Sequence, residues 1–163
     1  MRVLGVLLLL VLAGCGFQLR GTADVPFDTV YVAGATSGIA LSLKRNIQAG
    51  TNARVVDSAK EADAILRLSN EDREREILSL TGSGRVREFR LVYRVDMELN
   101  DAKGASYLPR STIEITRDVS FNDAQVLAKE AEEELLFRDM QADMVQQVMR
   151  RLAAAKKPVA RVQ

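Results

Sequence analysis

A strict alternation of apolar and polar positions marks the middle of the chain, between residues 89 and 99. Every odd position there is apolar, and every even position except Val92 carries a charge. Side chains of a strand point to opposite faces in turn, so this pattern predicts a strand with one buried face. The alternation returns over residues 113–121, with Arg117 as the exception on the apolar side. A longer strand with a polar middle is predicted over residues 64–80.

Two connections and one short run complete the predicted sheet. The sequence T-G-S-G at residues 81–84 predicts a hairpin turn, because glycine readily takes the positive φ that such turns need. Residues 100–109 are predicted to connect the next two strands, which gives an antiparallel meander. The β-branched and aromatic run at residues 29–33 predicts a first strand.

Two segments have helical periodicity. Residues 38–48 carry apolar side chains at steps of four and are followed by Gly50, which is typical of an amphipathic helix with a C-terminal glycine. A second helix is predicted to start at a cap on Asn122 or Asp123 and to run to Ala155. Its apolar stripe contains Leu136, Met140, Met144, Val148 and Leu152. Such a stripe can be a flexible binding surface, but the sheet needs a cover, so core packing is favoured.

These elements predict an α+β domain over residues 29–155. Two helices pack on one face of a mixed four-stranded sheet, in the order β-α-β-β-β-α. A helical crossover follows the first strand, and this favours parallel pairing for that strand. Residues 156–163 are predicted to form a flexible basic tail.

The N-terminus has the pattern of a lipoprotein leader. Residues 1–14 combine one positive charge, an apolar run and a small-residue end, as secretory signal peptides do, and the run is too short to span a membrane. Cys15 follows directly, within L-A-G-C, which resembles the lipobox of bacterial lipoproteins. We therefore expect cleavage of residues 1–14, acylation of Cys15 and a tether over residues 15–28. The alternative for a lone cysteine is a small buried hydrophobic residue.

Composition argues against several kinds of chemistry. The 23 basic and 22 acidic residues nearly balance, so no net field favours nucleic acid. The sequence lacks histidine, which removes the usual imidazole base and zinc ligand. The acidic residues at 130 and 132–134 could be imagined as catalytic carboxylates or calcium ligands. On one helix they point in different directions, so a solvated face is the simpler interpretation. We expect no enzyme, and no cofactor apart from the lipid on Cys15.

Basic residues offer a candidate binding site instead. Arg85 and Arg87 follow the predicted hairpin turn, and Lys129 lies near the start of the long helix. Exposed basic side chains at a loop tip are usually only solubilising. On a protein held by lipid at a membrane that contains phosphorylated lipid, the same groups could contact phosphates.

Three stretches of the chain form a distinctive set. They are C-G-F-Q-L-R-G at residues 15–21, R-E-F-R-L-V-Y at residues 87–93, and the run from L-A-K-E-A-E-E-E-L-L-F-R-D-M to V-M-R-R-L within residues 127–152. Together they resemble the LptE (RlpB) family of lipopolysaccharide-assembly lipoproteins. The resemblance implies a non-enzymatic lipoprotein on the periplasmic side of the outer membrane. It implies a one-to-one complex with the LptD β-barrel, whose lumen the lipoprotein plugs and whose assembly it assists, and binding of lipopolysaccharide during insertion into the outer leaflet.

The resemblance also implies particular binding residues. In the family, basic residues at a hairpin tip and in a segment matched here by V-L-A-K contact lipopolysaccharide, which assigns Lys129. Gly82 stands where some members have the hairpin-tip arginine, so Arg85 and Arg87 are the nearest candidates. Gly16 after the cysteine fits sorting to the outer membrane.

Two other functions stay open at this point. One is a lipid-anchored adaptor that serves another cell-envelope assembly complex. The other is a small periplasmic enzyme with an acidic site near residues 130–134.

Overall fold

The computed structural model describes residues 23–34 and 38–158. Its elements, in chain order, are β1 (Thr29–Ala33), α1 (Ile39–Gly50), β2 (Arg54–Val56), β3 (Ala64–Leu80), β4 (Val86–Asp101), β5 (Ser106–Ser120) and α2 (Val126–Ala153). Single 3₁₀ turns precede β3 and α2. The predictions for the signal peptide, for acylation of Cys15 and for residues 159–163 lie outside the described residues.

The sheet is mixed and has the strand order β2-β1-β3-β4-β5. β1 runs parallel to both β2 and β3, whereas β3, β4 and β5 form the antiparallel meander. The α+β class and the parallel pairing of the first strand are therefore confirmed. The predicted count of four strands is wrong, because β2 is an additional edge strand. Its three residues are too few for an alternating pattern to emerge from the sequence.

The predicted connection over residues 100–109 is also wrong, because most of it belongs to β4 and β5. The turn itself occupies residues 102–105. It is tight because the Asp101 carboxylate accepts hydrogen bonds from the backbone N–H groups of Lys103 (2.8 Å) and Ala105 (2.7 Å). Pro109 fits within β5 because β5 is an edge strand, where a missing N–H can face away from the sheet.

Both helices cover the same face of the sheet and contact each other. β4 contributes the odd-numbered side chains of its alternation to this core, as predicted, and α2 contributes its apolar stripe. The largest fully buried side chains include Leu43, Ile47, Leu66, Tyr93, Leu99, Met140, Met144 and Leu152. α2 ends at Ala153, two residues before the predicted end. Among the described residues, neither helix combines the length and apolar character needed to cross a membrane.

The segment before β1 packs against the domain. Val25 and Phe27 are buried, and the Asn52 side chain accepts a hydrogen bond from the Val25 N–H (2.9 Å). The predicted tether covered residues 15–28. Its described part, residues 23–28, belongs to the folded body, because its apolar side chains reach the core.

β3 contains a β-bulge that changes which residues face the helices. Ser69 pairs with Asp96, but the next pair joins Asp72 to Arg94, so β3 has one residue more than β4 in this interval. Asn70 takes a φ of 51° there, a conformation that asparagine tolerates better than most residues. Even-numbered residues of β3 face the helices before the bulge, and the odd-numbered residues from Arg73 to Ile77 face them after it. The register shifts again after Ile77, where Ser79 pairs with Glu88.

Candidate functional site

The candidate basic residues lie at one end of the sheet, which we call the distal end. It consists of the β3–β4 turn, the last residues of β5 and the start of α2. The predicted hairpin turn at residues 81–84 is confirmed, with hydrogen bonds from Thr81 N–H to the Arg85 carbonyl (2.7 Å) and from Gly84 N–H to the Thr81 carbonyl (2.9 Å). Gly84 has a φ of 77°, a conformation that favours glycine. The last β5 residue to pair with β4 is Ser120, so the hairpin projects beyond β5.

Lys129 lines a pocket of about 180 Å³ at this end. Its Nζ donates to Ser120 Oγ (3.2 Å) and pairs with Glu132 Oε2 (2.7 Å), and only 18% of its side chain is exposed. The other lining residues are Arg75, Phe89, Val119, Ser120, Phe121, Val126, Glu130 and Glu133. The ammonium group of Lys129 therefore lies at the wall of a partly apolar pocket.

Arg75 is a second cation of this pocket, and it is not among the residues predicted from the sequence. Its guanidinium lies 4.6 Å from the centre of the Phe89 ring and donates to Glu133 Oε2 (3.1 Å). If side chains alternated without interruption along β3, Arg75 would lie on the face away from the helices. The bulge near Asn70 reverses this, and the sequence does not reveal the bulge. Stacking on an aromatic ring is a favourable arrangement for a guanidinium.

Arg87 and Arg85 lie on the exposed hairpin next to the pocket. The Arg87 carbonyl accepts a hydrogen bond from the Phe121 N–H (2.8 Å), so the backbone of Arg87 lies beside a residue that lines the pocket. Arg85 is nearer the tip, where its N–H donates to Thr81 Oγ1 (3.1 Å). The structure thus brings Lys129 and Arg87 to the same end of the molecule, with Arg85 further out.

Exposed apolar side chains accompany these cations. Ile77 and Leu80 on β3 are 60% and 55% exposed, and Leu127 on α2 is 82% exposed. We call this group the distal surface: Ile77, Leu78, Leu80, Val126 and Leu127 with the basic residues Arg85, Arg87 and Lys129. Large apolar side chains grouped at one end of a domain are typical of a binding surface.

Two acidic residues near the start of α2 form ion pairs with the two cations of the pocket. Glu132 pairs with Lys129 and Glu133 pairs with Arg75. Within residues 23–34 and 38–158, no three acidic, histidine or cysteine side chains are grouped so that they could hold a metal ion.

The face of the sheet opposite the helices, which we call the open sheet face, is a network of ion pairs. Arg94 donates through Nε to Glu114 (2.7 Å) and through Nη1 to Glu74 (2.8 Å), and these hydrogen bonds raise the pKa of its guanidinium. Arg90 forms a two-pronged pair with Asp118 (2.8 and 3.1 Å). These arginines are on the polar face, as predicted, and they pair with carboxylates of neighbouring strands.

Asp96 is the most highly bonded carboxylate of the open sheet face. It accepts hydrogen bonds from Thr112 Oγ1 (2.6 Å), Arg110 Nη2 (2.7 Å) and Asn70 Nδ2 (2.9 Å). These bonds, with that from Thr112 the most important, lower the pKa of Asp96 to about 2. Asp96 therefore stays ionised through most of the pH range and joins β3, β4 and β5.

The sequence profile of LptE, described as lipopolysaccharide-assembly, matches residues 27–152 of the chain. The chain belongs to the LptE family. The LPS-assembly lipoprotein LptE of Yersinia pestis (strain Pestoides F) is 32% identical over 159 residues, which cover 93% of this chain and 75% of that protein. The protein of the same name from Photorhabdus laumondii is 28% identical over 158 residues, covering 93% and 85% of the two chains.

Solved structures of similar lipoproteins share the fold of this LptE-family chain. The solution structure of an uncharacterized lipoprotein B from Nitrosomonas europaea is 48% identical, covers 85% of this chain and 91% of its own, and gives a TM-score of 0.73. The crystal structure of the rare lipoprotein B from Shewanella oneidensis is 26% identical, with a TM-score of 0.68 and coverage of 78% and 95%.

Proposed function

We propose that the chain is an outer-membrane lipoprotein, acylated on Cys15, that works in lipopolysaccharide assembly without catalysing a reaction. It forms a one-to-one complex with the LptD β-barrel, plugs the barrel lumen, assists barrel assembly and binds lipopolysaccharide during insertion into the outer leaflet. The observation that carries this proposal is the match to the LptE family over residues 27–152, together with relatives named LPS-assembly lipoproteins.

The distal surface supports binding of an anionic amphiphile. Lys129, Arg87 and Arg85 supply positive charge, and phosphate groups form strong charge-assisted hydrogen bonds with such side chains. Ile77 and Leu80 lie exposed at the same end and offer apolar contact area. Lipopolysaccharide combines phosphates with acyl chains, so both parts of this surface have a counterpart in the ligand.

The open sheet face supports the role of a plug. Its charges are mixed in sign and largely paired across strands, as in the contacts of Arg94 and Arg90. The interior of a large outer-membrane barrel is polar, and a surface of this kind can lie against it without burying an unpaired charge.

The first experiment identifies the partner. The full chain is extracted from membranes in detergent, captured by a C-terminal affinity tag, and the co-purifying proteins are identified and quantified by mass spectrometry. We expect LptD in equal molar amount, and we expect depletion of the chain to lower surface lipopolysaccharide and folded LptD together. Recovery of a different barrel or envelope complex, with LptD unaffected, would favour the adaptor function instead.

The second experiment tests the lipid site with the double variant Lys129→Glu/Arg85→Glu. Loss of charge-assisted contacts to phosphate is expected to weaken lipopolysaccharide binding by about tenfold or more in a direct assay at fixed ionic strength. The matched control is Lys44→Glu/Arg45→Glu on α1, which makes the same change of net charge away from the distal surface. Equal affinities of the two variants would remove the proposed site. Co-purification of the barrel should be unchanged in both.

A further inference from the structure

The first turns of α2 contact the distal end of the sheet through charged side chains. The fully buried residues of α2 begin at Phe137, and between residues 126 and 135 only Lys129 and Glu133 are partly buried. These two residues are four apart, so they lie on one side of the helix. Lys129 donates to Ser120 of β5, and Glu133 accepts from Arg75 of β3. Polar contacts therefore take the place here of the apolar packing found further along α2.

The two cations at this end share one pocket. Arg75 approaches it from β3 and Lys129 approaches it from α2. The Arg75 guanidinium stacks on the Phe89 ring, which packs edge-on against Phe121 with 5.1 Å between the ring centres. Together with Val119, these rings give the pocket an apolar lining beside two positive charges. Such a combination suits an anionic group attached to a hydrocarbon better than a free, fully hydrated anion.

Carboxylates of α2 occupy both cations of the pocket. Glu132 Oε2 lies 2.7 Å from Lys129 Nζ, and Glu133 Oε2 lies 3.1 Å from Arg75 Nη1. Of the side chains in these pairs, Glu132 is 45% exposed and Arg75 is 46% exposed. Ion pairs exposed to this degree are weakened by water, so another anion can replace the carboxylates at low cost.

A phosphate group has an advantage over a carboxylate at these cations. A phosphate monoester carries a charge of about −1.5 to −2 at pH 7 and has three oxygens that accept hydrogen bonds. A guanidinium can donate two parallel hydrogen bonds to phosphate, whereas Arg75 donates to Glu133 through one nitrogen, Nη1. Exchange of carboxylate for phosphate therefore strengthens the contact at Arg75 and increases the attraction at Lys129.

We propose that Glu132 and Glu133 hold the two cations of the pocket until a lipid-borne phosphate displaces them, and that Arg75 then binds this phosphate together with Lys129. The carboxylates exclude weaker anions and so make the site selective for phosphate. The apolar lining contacts the hydrocarbon next to the phosphate. This inference rests on the proposed function, because it takes the ligand to be a phosphorylated lipid.

Removal of the two carboxylates is the main test. The full chain is extracted from membranes in detergent, and lipopolysaccharide binding is measured directly at fixed ionic strength. Glu132→Gln/Glu133→Gln is expected to bind about three- to tenfold more tightly than wild type, because phosphate no longer has to displace a carboxylate. The control Glu134→Gln/Asp139→Asn makes the same change of net charge at exposed positions of α2 and should change the affinity by less than about twofold. Equal gains in the two variants would overturn the inference.

The chemical nature of the ligand is tested with two further probes. With lipopolysaccharide from which the phosphate groups have been removed, the gain of Glu132→Gln/Glu133→Gln should disappear, and a gain that persists would contradict competition with phosphate. Inorganic phosphate, equimolar with bound lipopolysaccharide, should displace less than about a tenth of it, because free phosphate has no hydrocarbon for the apolar lining. Greater displacement would assign the pocket to free phosphate and overturn its assignment to a lipid.

The role of Arg75 is tested by substitution on the other side of the pocket. Arg75→Gln is expected to weaken lipopolysaccharide binding by about fivefold or more, and Arg75→Lys by less, because lysine keeps the charge but loses the parallel hydrogen bonds. The control Arg138→Gln, at an exposed position of α2, should change the affinity by less than about twofold. Circular dichroism checks that each variant is folded. Equal affinities of Arg75→Gln and Arg138→Gln would remove Arg75 from the site.

Failure of this inference is distinguishable from failure of the proposed function. A wild-type chain that does not bind lipopolysaccharide would contradict both. A wild-type chain that binds it, with Glu132→Gln/Glu133→Gln and Arg75→Gln behaving like their controls, would overturn this inference alone.

Discussion

The β-bulge near Asn70 divides the β3–β4 ladder into two halves. Both halves pair antiparallel, but their surroundings are very different. Before the bulge, β3 is flanked by β1 and β4, and side chains such as Leu66 and Leu99 are fully buried beneath the helices. After the bulge, β3 has β4 on one side only, and Ile77 and Leu80 are more than half exposed. One long hairpin therefore serves as core at one end and as projecting surface at the other.

The two halves are also stabilised by different interactions. Apolar burial, worth about 25 cal/mol per Å², dominates the first half. In the second half, Leu91 and Tyr93 of β4 are still fully buried, whereas β3 contributes exposed ion pairs such as Arg94–Glu74, which typically contribute about 0–1 kcal/mol each, and arginines stacked against aromatic rings. A hairpin edge that carries alternating charges resists pairing with other chains, so the second half can project without aggregating.

The largest expected difference between the halves comes from shortening a leucine in each. Leu99→Ala removes a fully buried side chain and should lower the free energy of unfolding by about 2–5 kcal/mol. Leu80→Ala, on the projecting half, should change it by less than about 0.5 kcal/mol. Urea unfolding of both variants measures the contrast. Similar losses would mean that the projecting half is part of the core.

A smaller effect is expected where the two halves meet. The ring of Tyr93 is fully buried, and its hydroxyl donates to Glu71 Oε1 at 2.6 Å; burial and this bond raise the pKa of the phenol. Tyr93→Phe should therefore cost about 1 kcal/mol of unfolding free energy, because one hydrogen bond is lost. The control is Tyr107→Phe, whose ring packs edge-on against Phe27 and whose hydroxyl makes no hydrogen bond among the described residues. An equal loss in both variants would mean that the effect comes from removing a hydroxyl group as such and not from the hydrogen bond to Glu71.

The smallest effect is expected from the open sheet face, and it should depend on pH. The pKa of Asp96 is lowered to about 2, so its contribution to stability is fully present above the ordinary carboxyl pKa of about 4 and is lost as the pH falls through about 2. Asp96→Asn keeps the oxygen that can accept from Thr112, so the loss at pH 6 should be smaller than for Tyr93→Phe.

Thermal unfolding of wild type and Asp96→Asn at pH 2, 4 and 6 tests this expectation. The two Tm values should converge towards pH 2 and separate at pH 6. Asp139→Asn, at an exposed position of α2, serves as the control and should show no such divergence. A difference between wild type and Asp96→Asn that stays constant with pH would contradict the role given to the ionised carboxylate.

Helices and strands are predicted most accurately from the sequence where one side of the element is wholly buried. Alternation over residues 89–99 identifies β4, and the apolar stripe from Met140 to Leu152 identifies α2. In both elements one side is buried and the other is in contact with solvent. β2 is not predicted because its three residues are too few to show an alternating pattern. The length of β5 is underestimated because a register shift interrupts its alternation: Met97 pairs with Ser111, but Leu99 pairs with Leu108. Of the candidate site, Lys129 is already a candidate from its position near the start of the long helix, and the resemblance to the LptE family assigns its role, whereas Arg75 comes only from the structure.

The bulge at Asn70 determines where a single residue can be deleted from β3 without reversing its side chains. Because it already accommodates one extra residue, loss of residue 70 would remove the Asn70–Asp96 hydrogen bond but would leave the side chains from Asp72 to Ile77 on their present faces. Loss of a single residue between positions 73 and 77 would exchange the faces of the side chains that follow it. Single-residue deletions in this hairpin should therefore be tolerated at one place and disruptive a few residues further on, although no buried side chain is removed in either case.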